Sequence, residues 1–283
     1  MALREPDFAD AWYPGDKNKA LRTIHDWSKD FKEPKTLKGD LVGGIVPHAG
    51  WVYSGKLACN VIKVLSEHSK PDTVVIFGTH MASGMKPTIF VKGEWWTPLG
   101  NLPVDTEIVK PLLEKFKFEE ESPEFHDQDN TIELQMPFVK NYFPKAKVVT
   151  IGAPPSDNSF EIAEALFDEA KKQKKKIAVI GSTDLTHYGS NYGLTSKGVG
   201  TEAVKWVKEV NDKKVIDLMV ALKDKEVREE ALDHHNSCCM GAASSALHLG
   251  KLLGAKKGEV LNYYTSYDVD PAASFVGYVG LVF

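Results

Sequence analysis

Three stretches of the chain place a histidine shortly after an apolar run. They are Ile45-Val46-Pro47-His48-Ala49-Gly50, Val75-Ile76-Phe77-Gly78-Thr79-His80 and Val179-Ile180-Gly181-Ser182-Thr183-Asp184-Leu185-Thr186-His187. An imidazole titrates near neutral pH and is the commonest metal ligand among side chains. The neighbouring glycines let the backbone turn sharply and approach a ligand. A lone histidine after a strand is more often capped or solvated than liganded. Three at equivalent strand ends point instead to one shared pocket. A fourth polar stretch, His234-His235-Asn236-Ser237-Cys238-Cys239-Met240-Gly241, precedes an apolar helix-like run. A cysteine at a helix N-terminus has its thiolate stabilised by the helix dipole. A thiolate beside imidazoles suits zinc, iron or copper better than magnesium or calcium. Against this, free cysteine commonly serves as a small buried apolar residue. The spacing contains no Cys-x-x-Cys pair, so a closed structural zinc site is not expected.

Two carboxylates accompany these residues. Asp184, three positions before His187, could orient an imidazole, ligate metal, act as a base or cap a turn. Glu133 lies on a helix-like stretch, where it would need a partner if buried. Alternatively it occupies the first turn of a helix capped by Thr131. His25, His68 and His248 fall within helix-like segments and carry no functional expectation. His126, in an acidic loop, is expected to be exposed.

The elements that must hold these residues alternate in type. Apolar periodicity predicts strands over 43–47, 72–77, 147–151 and 177–180. It predicts helices over 20–31, 54–67, 106–116, 131–141, 160–171, 202–211, 214–222 and 242–253, and closing strands over 260–264 and 273–283. This order implies one three-layer α/β/α domain over 1–283 with a mostly parallel or mixed central sheet. Ligands of such sheets sit beyond the carboxyl ends of the strands, where these histidines fall.

The 283 residues are 42% apolar and 26% charged, enough for a core. A formal net charge of -4 gives no electrostatic reason to expect a nucleic-acid or acidic-membrane partner. The basic run 171–176 reads as a solvated helix end. No run approaches the roughly 18 apolar residues of a membrane helix, and the first ten residues lack the apolar core of a secretory signal. Adjacent Cys238 and Cys239 pair poorly, and with Cys59 they make an odd set, so a reducing cytoplasm is expected. No phosphate loop, dinucleotide fingerprint or Gly-x-Ser-x-Gly elbow is present.

Together these motifs resemble the Memo family, also called the AmmeMemoRadiSam system protein B family. Pro47-His48-Ala49-Gly50 with Tyr53-Ser54-Gly55 carries the likeness. So do Gly78-Thr79-His80, Thr131-Ile132-Glu133 with Pro137-Phe138, Ser182-Thr183-Asp184 with His187-Tyr188-Gly189, Asn236 with Cys239, and Tyr264-Thr265-Ser266. The resemblance implies a fold related to class III extradiol dioxygenases, which use non-haem ferrous iron. It implies His48, His80 and Cys239 as metal ligands, with Asp184 and His187 lining the same pocket, where they are the catalytic candidates. The metal so implied is divalent, with Fe(II) favoured and copper or zinc as alternatives. The doubled Cys238-Cys239 leaves the sulfur open by one position; the distance from Asn236 favours Cys239. Two departures stand out. Asp129-Asn130-Thr131 replaces the family's usual Glu-His-Ser, so an amide that cannot shuttle protons stands where a histidine usually does. Cys239-Met240-Gly241 replaces Cys-Gly-Arg, which removes an anchor for an anion.

Two readings of function follow. One is a metal-dependent oxidoreductase. The other is a binding module on an enzyme-like fold, whose rim of Trp51, Tyr53, Trp95 and Trp96 captures a peptide or small molecule. A zinc hydrolase is a third, lesser alternative.

Overall fold

The longest apolar runs become the middle of a sheet. A computed structural model describes residues 2–37 and 39–283. Nine strands form the main sheet: Gly43–Val46 (β1), Thr73–Gly78 (β2), Thr88–Phe90 (β3), Glu119–Glu121 (β4), Lys147–Gly152 (β5), Ile177–Ser182 (β6), His187–Tyr188 (β7), Glu259–Thr265 (β8) and Phe275–Val282 (β9). Their order is β7-β9-β1-β6-β2-β5-β3-β4, with β8 also paired to β9. The central four, β1, β6, β2 and β5, are parallel. Antiparallel pairing at β9 and between β3 and β5 makes the sheet mixed. Nearly every residue of the central strands is buried, as two covered faces require.

Adjacent positions along β1 show the two layers. Val61 of the helix Lys56–His68 lies against Gly44, and Ala246 of the helix Met240–Leu252 lies near Ile45, over Gly181. Successive strand residues point to opposite faces, so these helices cover opposite sides. Lys17–Ser28 and Met136–Tyr142 pack beside the first helix, and Asp157–Lys172 and Asp224–His234 beside the second. One apolar core extends from Tyr13 to Phe283. Among the described residues, no helix is long and apolar enough to cross a membrane.

Several expectations change in detail. The predicted helix 131–141 divides into Asn130–Glu133 and Met136–Tyr142, with Pro137 in the first turn of the second helix, where its missing N–H costs nothing. Asp129, not Thr131, caps the first piece by accepting from the Thr131 N–H. The predicted helices 202–211 and 214–222 join through a π-helical turn, Val207–Asn211. The two closing strands form as expected, and the last of them inserts beside β1.

Candidate metal centre

All four central strands point their carboxyl ends at one rim, and the chemistry gathers there. His48 follows β1 and is buried at 2% exposure. Its backbone N–H donates to Asp184 Oδ1 at 2.7 Å, which ties the turn after β1 to the turn after β6. Its ring Nδ1 lies 3.1 Å from Ser182 Oγ, and that hydroxyl donates to the Thr131 carbonyl at 2.7 Å. A hydroxyl has one proton, so Ser182 accepts from Nδ1–H. Nε2 then faces the Cys238 sulfur at 3.3 Å.

His80 reaches the same point through a strained turn. Thr79 has φ of 69°, a left-handed conformation that β-branched residues rarely adopt. Such strain costs roughly 1–3 kcal/mol and needs support from its surroundings. Here the Thr79 N–H donates to Thr131 Oγ1 at 2.6 Å and the Thr79 hydroxyl to Asp129 Oδ2 at 2.9 Å. The kink brings the His80 ring to 5.0 Å from that of His48, edge to face.

The sulfurs arrive from the opposite layer. Cys239 is the N-cap residue of the helix Met240–Leu252, as expected of a cysteine at a helix start. The Cys238 N–H donates to the Asp184 carbonyl and the Cys239 N–H to Thr183 Oγ1, both at 3.1 Å. One ligand atom from each of His48, His80, Cys238 and Cys239 lies within 4.8 Å of the others. Two imidazoles and two thiols this close form a soft donor set that fits a transition-metal ion.

The electrostatics separate the two thiols. Burial opposes a thiolate at Cys238, but the bond from the Cys239 thiol, the His48 charge and bonds from both histidines outweigh it. The Cys238 thiol is therefore held well below its ordinary value. Burial and the neighbouring Cys238 thiolate push Cys239 well above it. Burial depresses His48, yet Asp184 and Cys238 lift it to about 9. Burial pushes Asp184 up, against the pull of His48. Of the two sulfurs, Cys238 is the one whose surroundings favour a thiolate, although the spacing from Asn236 favours Cys239.

His48 and His80 also line a cleft of about 570 Å³ with Asn130, Asp184, His187 and Tyr192. His187 shares the cleft but stands outside the four-donor group, its ring 4.9 Å from that of Tyr192. Asn130 Nδ2 donates to the His48 carbonyl at 3.0 Å, so the amide serves to hold the turn. His234 is spent on Glu230, and His235 ends a helix in a left-handed conformation; neither joins the group. His126 is half-buried rather than exposed, with Nδ1 3.0 Å from the Ser122 carbonyl.

The aromatic rim differs from the expected one. Trp51 is buried and stacks on Phe138 at 4.3 Å. Trp95 is buried beneath the Arg4 guanidinium, and Trp96 packs against the core. Of the expected four only Tyr53 lines the cleft, where it is joined by Trp12, Tyr192 and Tyr278. Glu133 does have partners: it accepts from the N–H groups of Asp7 and Phe8, both at 2.9 Å, and from the Tyr13 hydroxyl at 3.0 Å. Sequence reasoning also missed the task of Ser182, though the Ser-Thr-Asp motif contained it. Trp12 carried no local signal.

Comparison with known proteins follows the same lines. A MEMO1 family protein of Pyrococcus abyssi is 30% identical over 292 residues, covering 99% of both chains. One from Methanopyrus kandleri is 31% identical over 99% of this chain and 98% of its own. The crystal structure of an uncharacterized Escherichia coli K12 protein shares the fold. Its TM-score is 0.55 at 10% identity, over 86% of this chain and 99% of that one. The family model described as Memo-like protein matches residues 4–282, nearly the whole length, and the chain belongs to the Memo family.

Proposed function

We propose that this is a metal-dependent redox protein in which His48, His80 and a cysteine thiolate hold one ion, ferrous iron in preference to copper or zinc. The observation that carries the reading is the convergence of two imidazoles and two thiols within 4.8 Å beside an open cleft. When bound, iron or copper would supply a redox couple and open positions for oxygen or substrate. The chain's own residues prepare the rest. Ser182 turns His48 Nε2 toward the site, and Asp184 holds the His48 turn and the Cys238 amide together. His187, facing the cleft, is the residue to take or give a proton at its ring nitrogen. The aromatic edge suits a small molecule or a peptide with an apolar group. We read the whole chain, 1–283, as one domain around its continuous core, working in the cytoplasm with its thiols reduced.

A second reading has its own observation. Asn130 is engaged with the His48 carbonyl and cannot relay protons, while Trp12 and Tyr192 are well exposed at the cleft edge. A binding module would keep the metal and the aromatic edge without turnover. The test is anaerobic loading with ferrous iron followed by metal analysis. Wild type is expected to retain roughly one ion per chain with thiolate charge-transfer absorption, and His48→Ala none. Equal metal in both proteins would defeat the metal reading. Oxygen uptake by the loaded protein across candidate substrates separates enzyme from module.

A further inference from the structure

The two thiols stand side by side as well as beside the histidines. Cys238 Sγ and Cys239 Sγ are 3.8 Å apart, on consecutive residues whose amides are both pinned to the turn after β6. Cys238 is half-buried and adjoins His48 and His80, which line the open cleft, so a molecule as small as a hydroperoxide can reach it. Cys59, the remaining cysteine, is buried elsewhere against Tyr142.

We propose that Cys238 and Cys239 are a reversible dithiol–disulfide couple, oxidised by a hydroperoxide, whose closure withdraws both sulfurs from the metal site. The dependence on metal rests on the reading above; the couple itself rests on the geometry of the two sulfurs. In the first step the Cys238 sulfur attacks one peroxide oxygen and the O–O bond breaks. Hydrogen peroxide leaves Cys238 as a sulfenic acid and releases one water, the thiol proton going to the departing oxygen. In the second step the Cys239 sulfur attacks the sulfenic sulfur, an S–S bond forms and a second water leaves. Two thiols and one peroxide become one disulfide and two waters; each sulfur loses one electron and each peroxide oxygen gains one.

Closure requires the sulfurs to approach from 3.8 Å to about 2.05 Å, by rotation of both side chains and some distortion of the peptide unit between them. Consecutive Cα atoms lie about 3.8 Å apart, below the usual range of roughly 4.4–6.8 Å for a disulfide. The bond is therefore strained and easily reduced, the property of a labile rather than a structural disulfide. Adjacent cysteines pair poorly as permanent staples for the same reason. A sulfur in the disulfide offers no thiolate, so the donor set falls to two imidazoles. Metal binding and oxidation then oppose each other by equal factors, as linkage demands.

The test treats the full-length protein with equimolar hydrogen peroxide, alkylates under denaturing conditions and weighs the peptide containing Cys238 and Cys239. The expected product has lost two hydrogens, is restored by dithiothreitol and leaves Cys59 alkylatable. Cys239→Ser is expected to stop at a sulfenic acid that dimedone captures. Iron-loaded protein is expected to resist oxidation, and oxidised protein to lose iron. Two alkylatable thiols after peroxide, or irreversible sulfinic acid in wild type, would overturn the couple. A reversible disulfide with unchanged iron content would support the couple and strike down sulfur ligation. A pair that stays reduced while iron binds normally would overturn this proposal and leave the metal reading intact.

Discussion

Ser182 decides which nitrogen of His48 meets the thiols. Its only proton is committed to the Thr131 carbonyl, so its oxygen accepts from His48 Nδ1–H and Nε2 is turned to Cys238. Outer groups that orient a ligating imidazole typically contribute 10–100-fold in metal affinity. Ser182→Ala is expected to weaken iron or zinc binding by about that factor while the protein stays folded. Titration of both proteins with a competing chelator measures it, and matching affinities would mean the serine does not set the ring. At this scale much of the site was legible. His48, His80 and Asp184 stood out because each follows an apolar strand through a small-residue turn, so the strand rule alone placed them at one rim. Spacing favours Cys239 over Cys238 without settling the choice, because one position in a loop before a helix changes which thiol the His48 charge reaches. That depends on backbone bonds to Thr183 and Asp184, which no spacing records.

At the scale of elements, the thiols sit immediately before the first turn of the helix Met240–Leu252, and the height of that helix is set by Gly241. A Cβ there would overlap the Ala153 carbonyl and the backbone of Pro154 and Pro155, the loop after β5. Backbone cannot yield as a flexible side chain does, so the helix start would have to lift. Gly241→Ala is expected to cost about 1–3 kcal/mol, as overpacking does. It should also reduce metal occupancy, because Cys239 caps this helix. Urea unfolding and metal analysis read the two effects; unchanged values in both would show that the helix start is not tightly seated. The central strands were legible as continuous apolar runs, yet β3, β4 and β7 were not. They span only two or three residues, and β4 is Glu119–Glu121, three carboxylates at an edge. Charge at an edge strand blunts pairing with other chains and also erases the strand pattern. The helix Asp224–His234 escaped for a related reason. Its buried apolar residues are only Val227 and Ala231, and Asp224 docks by bonding His248 and Lys251.

Across the whole molecule, the four donors come from strand ends and one helix start, while the walls of the cleft come from the two ends of the chain. Ala11 and Trp12 come from near one end, and Ser266, Asp270, Ala272, Ser274, Val276 and Tyr278 from near the other. Trp12 is fixed by a bond to Trp51, and the residues around it by Glu133, more than a hundred residues away in sequence, which is why no local pattern announced it. The Trp12 carbonyl accepts from the Trp51 N–H, and Glu133 holds the N–H groups of Asp7 and Phe8 and the Tyr13 hydroxyl. Burial pushes the Glu133 carboxyl up, though all three donors favour its charged form. Removing that acceptor leaves the buried Tyr13 hydroxyl unpaired at about 1–3 kcal/mol, with a smaller cost for the part-buried N–H groups of Asp7 and Phe8. Local opening costs less than global unfolding, so the N-terminal segment should release before the sheet does. Glu133→Ala is expected to speed hydrogen exchange over residues 3–13 by at least tenfold while the amides of β2 and β6 stay protected. Iron binding should persist, because no donor sits on that segment. Ligands gripped by the aromatic edge should bind more weakly, because Trp12 is lost from the wall. If the iron went with the segment, the cleft and the metal centre would be one cooperative unit. If exchange over residues 3–13 did not change, Glu133 would not be the clasp.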